Sequence, residues 1–415
     1  MYSPTLPERT IKRQANHWLQ ASLRLSQIEN LASGYAWHGL DRQVSRLIKD
    51  GLKESIEGLV NLAQALSGEI QLNLSQDSLH NRLLELRNRY VSVEETVHFY
   101  TIAINSRTNP TISALLRACD ILCVKSMKTI LNDLGYPCPL VLTYVEKGLG
   151  ASILKSGLRL WDGNTSRVAA IKVTQHNLYR PTAIIHETGH QVAHILDWNA
   201  ELSEGLKTGF KNFPEDISNT FASWASEIAA DAFAFVHTGY ASVAALHDVV
   251  SGSPNAILAF HPKDPHPIAF VRVLMNIEMC RQKFGHGPWE ELQESFLNQY
   301  GAELNSNPNL GIVNQCLDAL PFAVRIILDQ RYRAFRGKSL SELIAPEKVS
   351  PSQLFNLEKT AGPSLYHSHA WIWQESIRIL ALGGLKIGMA QGDLQSLYKQ
   401  QEEWMIRLGY TGNLN

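Results

Sequence analysis

The chain has 415 residues and a nearly balanced charge, with 38 Lys and Arg residues against 39 Asp and Glu residues. This balance lacks the basic excess of a nucleic-acid-binding protein, and a hydrophobic content of 45% excludes intrinsic disorder over most of the length. Five cysteines, an odd number, do not suit a secreted disulfide scaffold. The sequence shows no signal peptide and no run of ~18 apolar residues, so we expect a cytoplasmic protein without a membrane span.

The predicted elements make the chain α+β and mostly helical, in three regions. Residues 1–135 are predicted to form a helical N-terminal region, because apolar residues such as Leu52 and Ile56 recur at helical spacing between charged residues. Residues 136–300 mix strand patterns with helical patterns. Residues 301–415 are predicted to form a helical C-terminal region. The chain shows no internal repeat, so these regions are not copies of one unit.

Three segments of the middle region carry strand patterns. Residues 140–146 and 168–174 are rich in β-forming residues, and residues 152–161 alternate between apolar and polar positions. The segment Asp162–Asn164, with the sequence DGN, is a strong turn signal after the alternating segment. We therefore predict a small sheet that leads directly into a helix beginning near Pro181, since proline is well tolerated at the first helical position.

The strongest functional signal is the segment His186-Glu187-Thr188-Gly189-His190. Two histidines four positions apart on a helix lie one above the other, close enough to bind one metal ion, and neutral imidazole is a good zinc ligand. Glu187 projects beside them, where it can take a proton from a metal-activated water. Gly189 weakens an ordinary helix, but beside two ligands a missing side chain allows another backbone to approach closely.

A third ligand is expected from a second helix. Metzincins continue with glycine and histidine at the positions that Ala193 and Leu196 occupy here, so that class is excluded. Gluzincins take a glutamate from another helix, and the alanine-rich segment 223–239 offers Glu227. Asp231 lies one turn further on the same face, where it can accept a hydrogen bond from the free N–H of a ligand histidine. Apolar neighbours suggest that both carboxylates are buried and need a metal or a histidine as partner.

A loop that enters a further helix adds two candidates. The segment 264–272 holds His266 at the helix entrance and Arg272 about two turns into the helix. We expect His266 to stabilise the oxyanion of a tetrahedral intermediate. Arg272 can pair with an acidic residue of the site or with the substrate.

These three segments resemble the pattern of a zinc peptidase family that includes the CAAX prenyl endopeptidases and the bacterial heat-shock membrane protease. That pattern is His-Glu-x-x-His, then Glu-x-x-Ala-Asp, then His-Pro followed by Arg. The chain matches it at His186, Glu187, His190, Glu227, Ala230, Asp231, His266, Pro267 and Arg272. The resemblance covers about residues 165–285 and implies a gluzincin metallopeptidase domain, which we assign to residues 136–300. Many members are embedded in membranes, and this chain is more similar to the soluble ones.

The resemblance and the residues together predict a zinc-dependent endopeptidase. One zinc ion per chain is held by His186, His190 and Glu227, and Glu187 is the general base that passes a proton from water to the leaving amine. Gluzincins generally hold extended substrates by main-chain pairing. The resemblance therefore implies that residues 168–174 form an edge strand that pairs with an extended protein or peptide substrate. Two alternatives stay open: a catalytically silent zincin scaffold that binds or regulates, and a zinc hydrolase that cleaves a non-peptide amide.

Overall fold

A computed structural model describes residues 6–69, 75–262, 264–390 and 392–411 of the chain. It is 72% helical with one small mixed sheet, which confirms the predicted α+β, mostly helical fold class. Residues 1–5 and 70–74 of the predicted N-terminal helical region lie outside the described residues.

The described helices are joined mostly by short connections, and the sheet lies between α5 and α6. In chain order they are α1 (Leu6–Leu25), α2 (Gly34–His38), α3 (Arg42–Glu69), α4 (Gln76–Asn105), α5 (Pro110–Leu131), α6 (Ala183–Ile195), α7 (Trp198–Gly209), α8 (Glu215–Ser223), α9 (Ala225–Thr238), α10 (Tyr240–Val250), α11 (Pro254–Ile257), α12 (Ala269–Phe284), α13 (Trp289–Ser306), α14 (Leu310–Asp329), α15 (Leu340–Leu343), α16 (Pro351–Ala361), α17 (Ser364–His367), α18 (His369–Gly388) and α19 (Leu394–Tyr410). Short 3₁₀ helices cover Ile28–Leu31, Gln175–Asn177 and Pro346–Val349.

The sheet has three strands, β1 (Val141–Val145), β2 (Ser152–Leu154) and β3 (Ala169–Val173), in the spatial order β1-β3-β2. The prediction that residues 168–174 form an edge strand is therefore wrong, because β3 is the central strand. Its side chains are almost all buried, as those of a strand with two neighbours usually are, and the edges are β1 and β2.

The predicted strand over residues 152–161 is shorter than expected. Beyond β2 the chain forms an irregular hairpin, in which the N–H of Leu160 donates to the carbonyl of Asn164 at 2.8 Å. Gly163 has a φ of 80°, which confirms the predicted turn at a position that favours glycine. The apolar and polar alternation of this segment reflects the two sides of the hairpin rather than a longer strand of the sheet.

The chain divides into two compact units, and the first comprises Met1–Ser113, Pro139–Tyr144 and Leu154–Ala170. In this unit α1, α3 and α4 pack on one another around a core that includes Leu52 and Ile56. The predicted helical spacing of those two residues thus marks the buried face of α3.

The second unit comprises Ala114–Cys138, Val145–Ile153 and Ile171–Asn415. Its most extensive helix pairs are α6 with α9, α10 with α18, α18 with α19, α7 with α8, and α12 with α14. All the candidate site residues belong to this unit. The finer division into regions 1–135, 136–300 and 301–415 stays a prediction.

One described helix, α14, is long and apolar enough to cross a membrane by length and composition. It buries one face, which includes Val313, Cys316 and Ile327, and packs on α7, α9 and α12 of the same unit. Phe322 lies on its exposed side.

Candidate metal centre

The two candidate histidine ligands lie on α6, which begins two residues after Pro181 and ends at Ile195. Apolar residues cover its opposite face, and Ile184, Ile185 and Val192 are fully buried. The amphipathic spacing therefore turns His186 and His190 to the same side, as helical periodicity requires. Their imidazole rings meet edge to face, with centroids 4.8 Å apart.

The small residues of α6 and α9 bring the two helices close together. A Cβ atom placed on Gly189 would lie 2.8 Å from the Cα of Ala230 and 3.0 Å from the Cβ of Phe233. No real side chain tolerates such distances, so a glycine is needed at this crossing. The close approach that the sequence predicted thus sets the separation between the histidines of α6 and the carboxylates of α9.

Glu227, in the first turn of α9, meets both histidines. Its Oε1 lies 3.3 Å from the Nε2 of His190, and its Oε2 lies 3.5 Å from the Nε2 of His186. Ligand atoms about 2.0–2.1 Å from a tetrahedral metal ion stand about 3.3 Å from one another. The three side chains form a group of potential ligand atoms that all lie within 4.8 Å of one another, so the group can hold a metal ion.

The second ring nitrogen of each histidine has its own partner on α9. The Nδ1 of His186 lies 2.9 Å from the Oδ1 of Asp231, the contact that the sequence predicted. The Nδ1 of His190 lies 3.4 Å from the hydroxyl of Ser226. Partners at Nδ1 orient each ring and leave Nε2 free for a metal.

Arg272 of α12 crosses the carboxylates of α9. Its Nη2 donates to Asp231 at 2.7 Å and to Glu227 Oε2 at 3.0 Å, and its Nε donates to the second oxygen of Asp231 at 2.7 Å. One turn further along α12, the amide of Asn276 donates to Asp231 at 3.3 Å. Of the two roles considered for Arg272, pairing with acidic residues is the one that the structure contains.

These contacts explain the perturbed acidities of the centre. Burial raises the pKa of both carboxyl groups, but Arg272 and His186 for Asp231, and His186, His190 and Arg272 for Glu227, outweigh it and hold each pKa well below its usual range. Burial would lower the pKa of His186, yet hydrogen bonds to Asp231 and Glu227 raise it to about 9. The centre thus attracts positive charge, and a metal ion that binds His186 displaces its proton.

Glu187 differs from the other carboxylates of the centre. It is only 7% exposed, and burial raises the pKa of its carboxyl group against the opposing effect of the two histidines. Within the described residues its carboxyl group has no hydrogen bond and no ion pair, whereas Glu227 and Asp231 are both held by Arg272. Glu187 is therefore free to exchange a proton with a bound molecule.

His266 lies at the open side of the centre. Its Nε2 is 3.7 Å from Glu227 Oε1, its side chain is 58% exposed, and it is not one of the three clustered ligands. On its other side, Nδ1 lies 2.7 Å from the Oδ1 of Asp264. The structure therefore brings His266 next to the centre, within reach of both solvent and a bound molecule.

Three polar contacts of the centre were not predicted from the sequence. Ser226 precedes Glu227, Asn276 follows Arg272 by one helical turn, and Asp264 precedes His266 by two residues. Asn276 and Asp264 stand at spacings from a predicted site residue at which side chains commonly meet, and that spacing is the signal that could have identified them. Ser226 is adjacent to Glu227 and meets His190 of another helix, so no local spacing indicated it. His194 lies four residues after His190 on α6, at ~12 Å from His186 along the helix axis. It is exposed and is not part of the potential metal-binding group.

Comparison with known protein families, with curated proteins and with solved structures finds no match to this chain. The centre consists of two histidines and a glutamate that can hold a metal ion, a buried glutamate beside them without a hydrogen bond among the described residues, and an arginine that binds the carboxylates.

Proposed function

We propose that the protein is a zinc-dependent endopeptidase of the gluzincin type. The observation that carries the proposal is the contrast between Glu187, which is buried and unpaired, and Glu227, which faces both histidines. A site that only binds metal has no need of a buried carboxylate without a partner, because such a group costs stability. The proposal includes a cytoplasmic location and a protein or peptide substrate.

The donor set fits zinc. Two imidazole nitrogens and one carboxylate oxygen are the ligands of many catalytic zinc sites, which keep one position open. The carboxylates of Glu187, Glu227 and Asp231 outnumber the single guanidinium of Arg272, so a divalent cation would balance the surplus negative charge. Manganese and cobalt favour overlapping donors, and the nitrogen-rich set is the argument for zinc.

Each side chain of the centre has a separate role in the proposed peptide hydrolysis. A bound zinc ion supplies Lewis acidity, which polarises the substrate carbonyl and lowers the pKa of water. Glu187 takes the proton from the attacking water and returns it to the leaving amine. His266, on the open side, is the candidate donor to the oxyanion of the tetrahedral intermediate. Arg272 and Asp231 hold Glu227 and His186 in place.

The resemblance to the CAAX prenyl endopeptidase family supports the same proposal through the order of its three motifs. The sequence matches these motifs within about residues 165–285, all of which belong to the predicted region 136–300. The two alternatives, a silent zincin scaffold and a hydrolase of a non-peptide amide, share the metal ligands and differ in turnover. Turnover is therefore the measurement that separates them.

The test compares three proteins: wild type, Glu187→Gln and Glu227→Ala. Zinc per chain and cleavage of an unstructured protein are measured for each. We expect about one zinc in wild type and in Glu187→Gln, little zinc in Glu227→Ala, and cleavage by wild type alone. The loss in Glu187→Gln should be at least about 100-fold, the usual contribution of a general base.

Other outcomes decide against the proposal. Equal cleavage by wild type and Glu187→Gln would indicate a contaminating protease. Stoichiometric zinc without cleavage of any peptide, but with hydrolysis of small amides, would favour the non-peptide hydrolase. Zinc with neither activity would favour the scaffold. A folded wild type that takes up no zinc would reject the metal centre itself.

A further inference from the structure

Asp264 makes two hydrogen bonds to one residue. Its Oδ1 accepts from the backbone N–H of His266 at 2.9 Å and from the ring Nδ1–H of the same residue at 2.7 Å. An aspartate that only closes a turn needs the first bond alone. The second bond ties the imidazole ring to the loop backbone.

The loop around this pair is itself held at both ends. The backbone N–H of Asp264 donates to the carbonyl of His261 at 2.9 Å, and Pro267 restricts the backbone of His266 from the other side. The backbone around Asp264 is therefore restrained, although its side chain and that of His266 are both partly exposed to solvent. The hydrogen bonds from the backbone and ring of His266 lower the pKa of Asp264, so the acceptor is a carboxylate at neutral pH.

We propose that Asp264 is a positioning residue of the candidate peptidase, which fixes the ring of His266 so that Nε2 faces the metal centre. The proposal rests on the proposed function, in which His266 contacts the substrate. The bond to Asp264 uses a proton on Nδ1, so Nε2 is the nitrogen that faces the centre, 3.7 Å from Glu227 Oε1. Donation from Nε2 to an oxyanion needs a proton on that nitrogen as well, because a ring protonated at Nδ1 alone can only accept there.

The need for such a device follows from the exposure of His266. A ring that is 58% exposed turns freely among its rotamers unless something holds it, and only one orientation directs Nε2 to the centre. Holding that orientation before substrate binds removes an entropy loss from the reaction. Asp264 would thus act on turnover through His266, without touching the substrate or the metal.

A double-mutant cycle tests this dependence with zinc-loaded full-length protein. We expect His266→Ala to lower kcat about 100-fold and Asp264→Ala to lower it about 10-fold, with KM less affected in both. In the His266→Ala background, Asp264→Ala should have no further effect, because the group that it positions is gone. Asp264→Asn keeps an acceptor oxygen and should restore most of the loss seen in Asp264→Ala.

His261→Ala is the matched control, since His261 also precedes a proline in the same loop and lies outside the centre. It should keep wild-type kcat and zinc content. An Asp264→Ala effect of equal size with and without the His266 side chain would reject the proposal. So would an Asp264→Asn variant no better than Asp264→Ala, because the amide oxygen of asparagine can accept the same hydrogen bond from the ring of His266.

A second measurement does not depend on turnover. Nitrogen NMR of histidine-labelled, zinc-loaded protein, assigned with His266→Ala, reports which ring nitrogen carries the proton. We expect a protonated, hydrogen-bonded Nδ1 in wild type and its loss in Asp264→Ala. An identical His266 spectrum in both proteins would overturn the positioning role. If wild type cleaves nothing, the proposed function fails, while this spectrum still decides whether Asp264 orients His266.

Discussion

Helices α6 and α9 carry buried polar side chains on two faces of the same pair. One, which we name the charged face, combines ionisable groups with Arg272 of α12; its members are His186, Glu187, His190, Glu227 and Asp231. The other, the neutral face, joins the same two helices to α5 through hydroxyl groups and one histidine. Its members are Ser126, Thr129, Thr188 and His237.

The hydrogen bonds of the neutral face close on themselves. Thr188 donates to the carbonyl of Ile185 at 2.8 Å and shares a 3.0 Å hydrogen bond with Ser126. His237 places Nδ1 2.8 Å from the carbonyl of Phe233 and Nε2 2.8 Å from the hydroxyl of Thr129. Because a carbonyl accepts only, the bond to Phe233 requires a proton on Nδ1 of His237.

The difference between the faces shows what a buried polar group needs. The neutral face is satisfied by the chain alone, so it adds stability and joins three helices. The charged face has a surplus of carboxylates and one of them, Glu187, has no hydrogen bond or ion pair among the described residues, so the proposed function assigns it a cation and a reacting molecule. The same helix pair thus carries a self-contained hydrogen-bond network on one face and a potential metal-binding group on the other.

The largest expected effect is the loss of Arg272 from the charged face. Arg272→Ala leaves Glu227 and Asp231 buried without their cation, which should lower the free energy of unfolding of the metal-free protein by about 3–5 kcal/mol. Urea denaturation measures the change. Arg281→Ala, on the same helix but in a partly exposed pair with Glu278, is the control and should cost about 0–1 kcal/mol. Equal losses of unfolding free energy in the two variants would mean that Glu227 and Asp231 do not need the positive charge of Arg272.

The second prediction removes the close approach on which both faces depend. Gly189→Ala places a methyl group against the backbone of Ala230 and should cost about 1–3 kcal/mol as the helices separate. Zinc stoichiometry should fall with it, because the histidines then move away from Glu227. Gly301→Ala in α13 is the control, since nothing lies within 4 Å of its added Cβ, and it should be neutral or stabilising. Unchanged stability and zinc binding in Gly189→Ala would contradict the close contact between Gly189 of α6 and Ala230 of α9.

The third prediction concerns pH and the neutral face. Burial lowers the pKa of His237 from 6.5 to about 4, so folding favours its neutral form. The stability that this gives is present above pH 6.5 and is lost as the pH falls toward 4, by about 2 kcal/mol between pH 7 and pH 5. His237→Gln should remove that part of the pH dependence, measured by urea denaturation at both pH values. His194→Gln, at an exposed position, should keep it; a His237→Gln profile that matches wild type would refute the assignment.

The smallest expected effect comes from a single hydroxyl of the neutral face. Thr188→Val keeps the shape of the side chain and removes its hydrogen bonds to Ile185 and Ser126, at a cost of about 1 kcal/mol. Zinc stoichiometry should not change, although Thr188 lies within the His-Glu-x-x-His segment. Thr208→Val on the exposed side of α7 is the control and should be close to neutral. Loss of zinc in Thr188→Val would show that the two faces are not independent.

The sequence by itself determined which residues share a helix face. His186 and His190 are four positions apart, as are Glu227 and Asp231, and a repeat of 3.6 residues per turn places each pair on one side wherever the helix lies. The need for glycine at position 189 and the burial of the acidic pair followed from the same local reasoning. These features depend on backbone geometry within one or two turns, which neighbouring residues set.

Only the tertiary structure decided which faces meet and in what order the strands pair. Glu227 contacts both histidines, and Arg272 binds Glu227 and Asp231. These contacts join α6, α9 and α12, which are far apart in the sequence. For the same reason β3 was wrongly predicted to be an edge strand, although it is the central one. Strand order and helix crossings depend on packing between segments that are remote in sequence, and local periodicity carries no information about which segments those are.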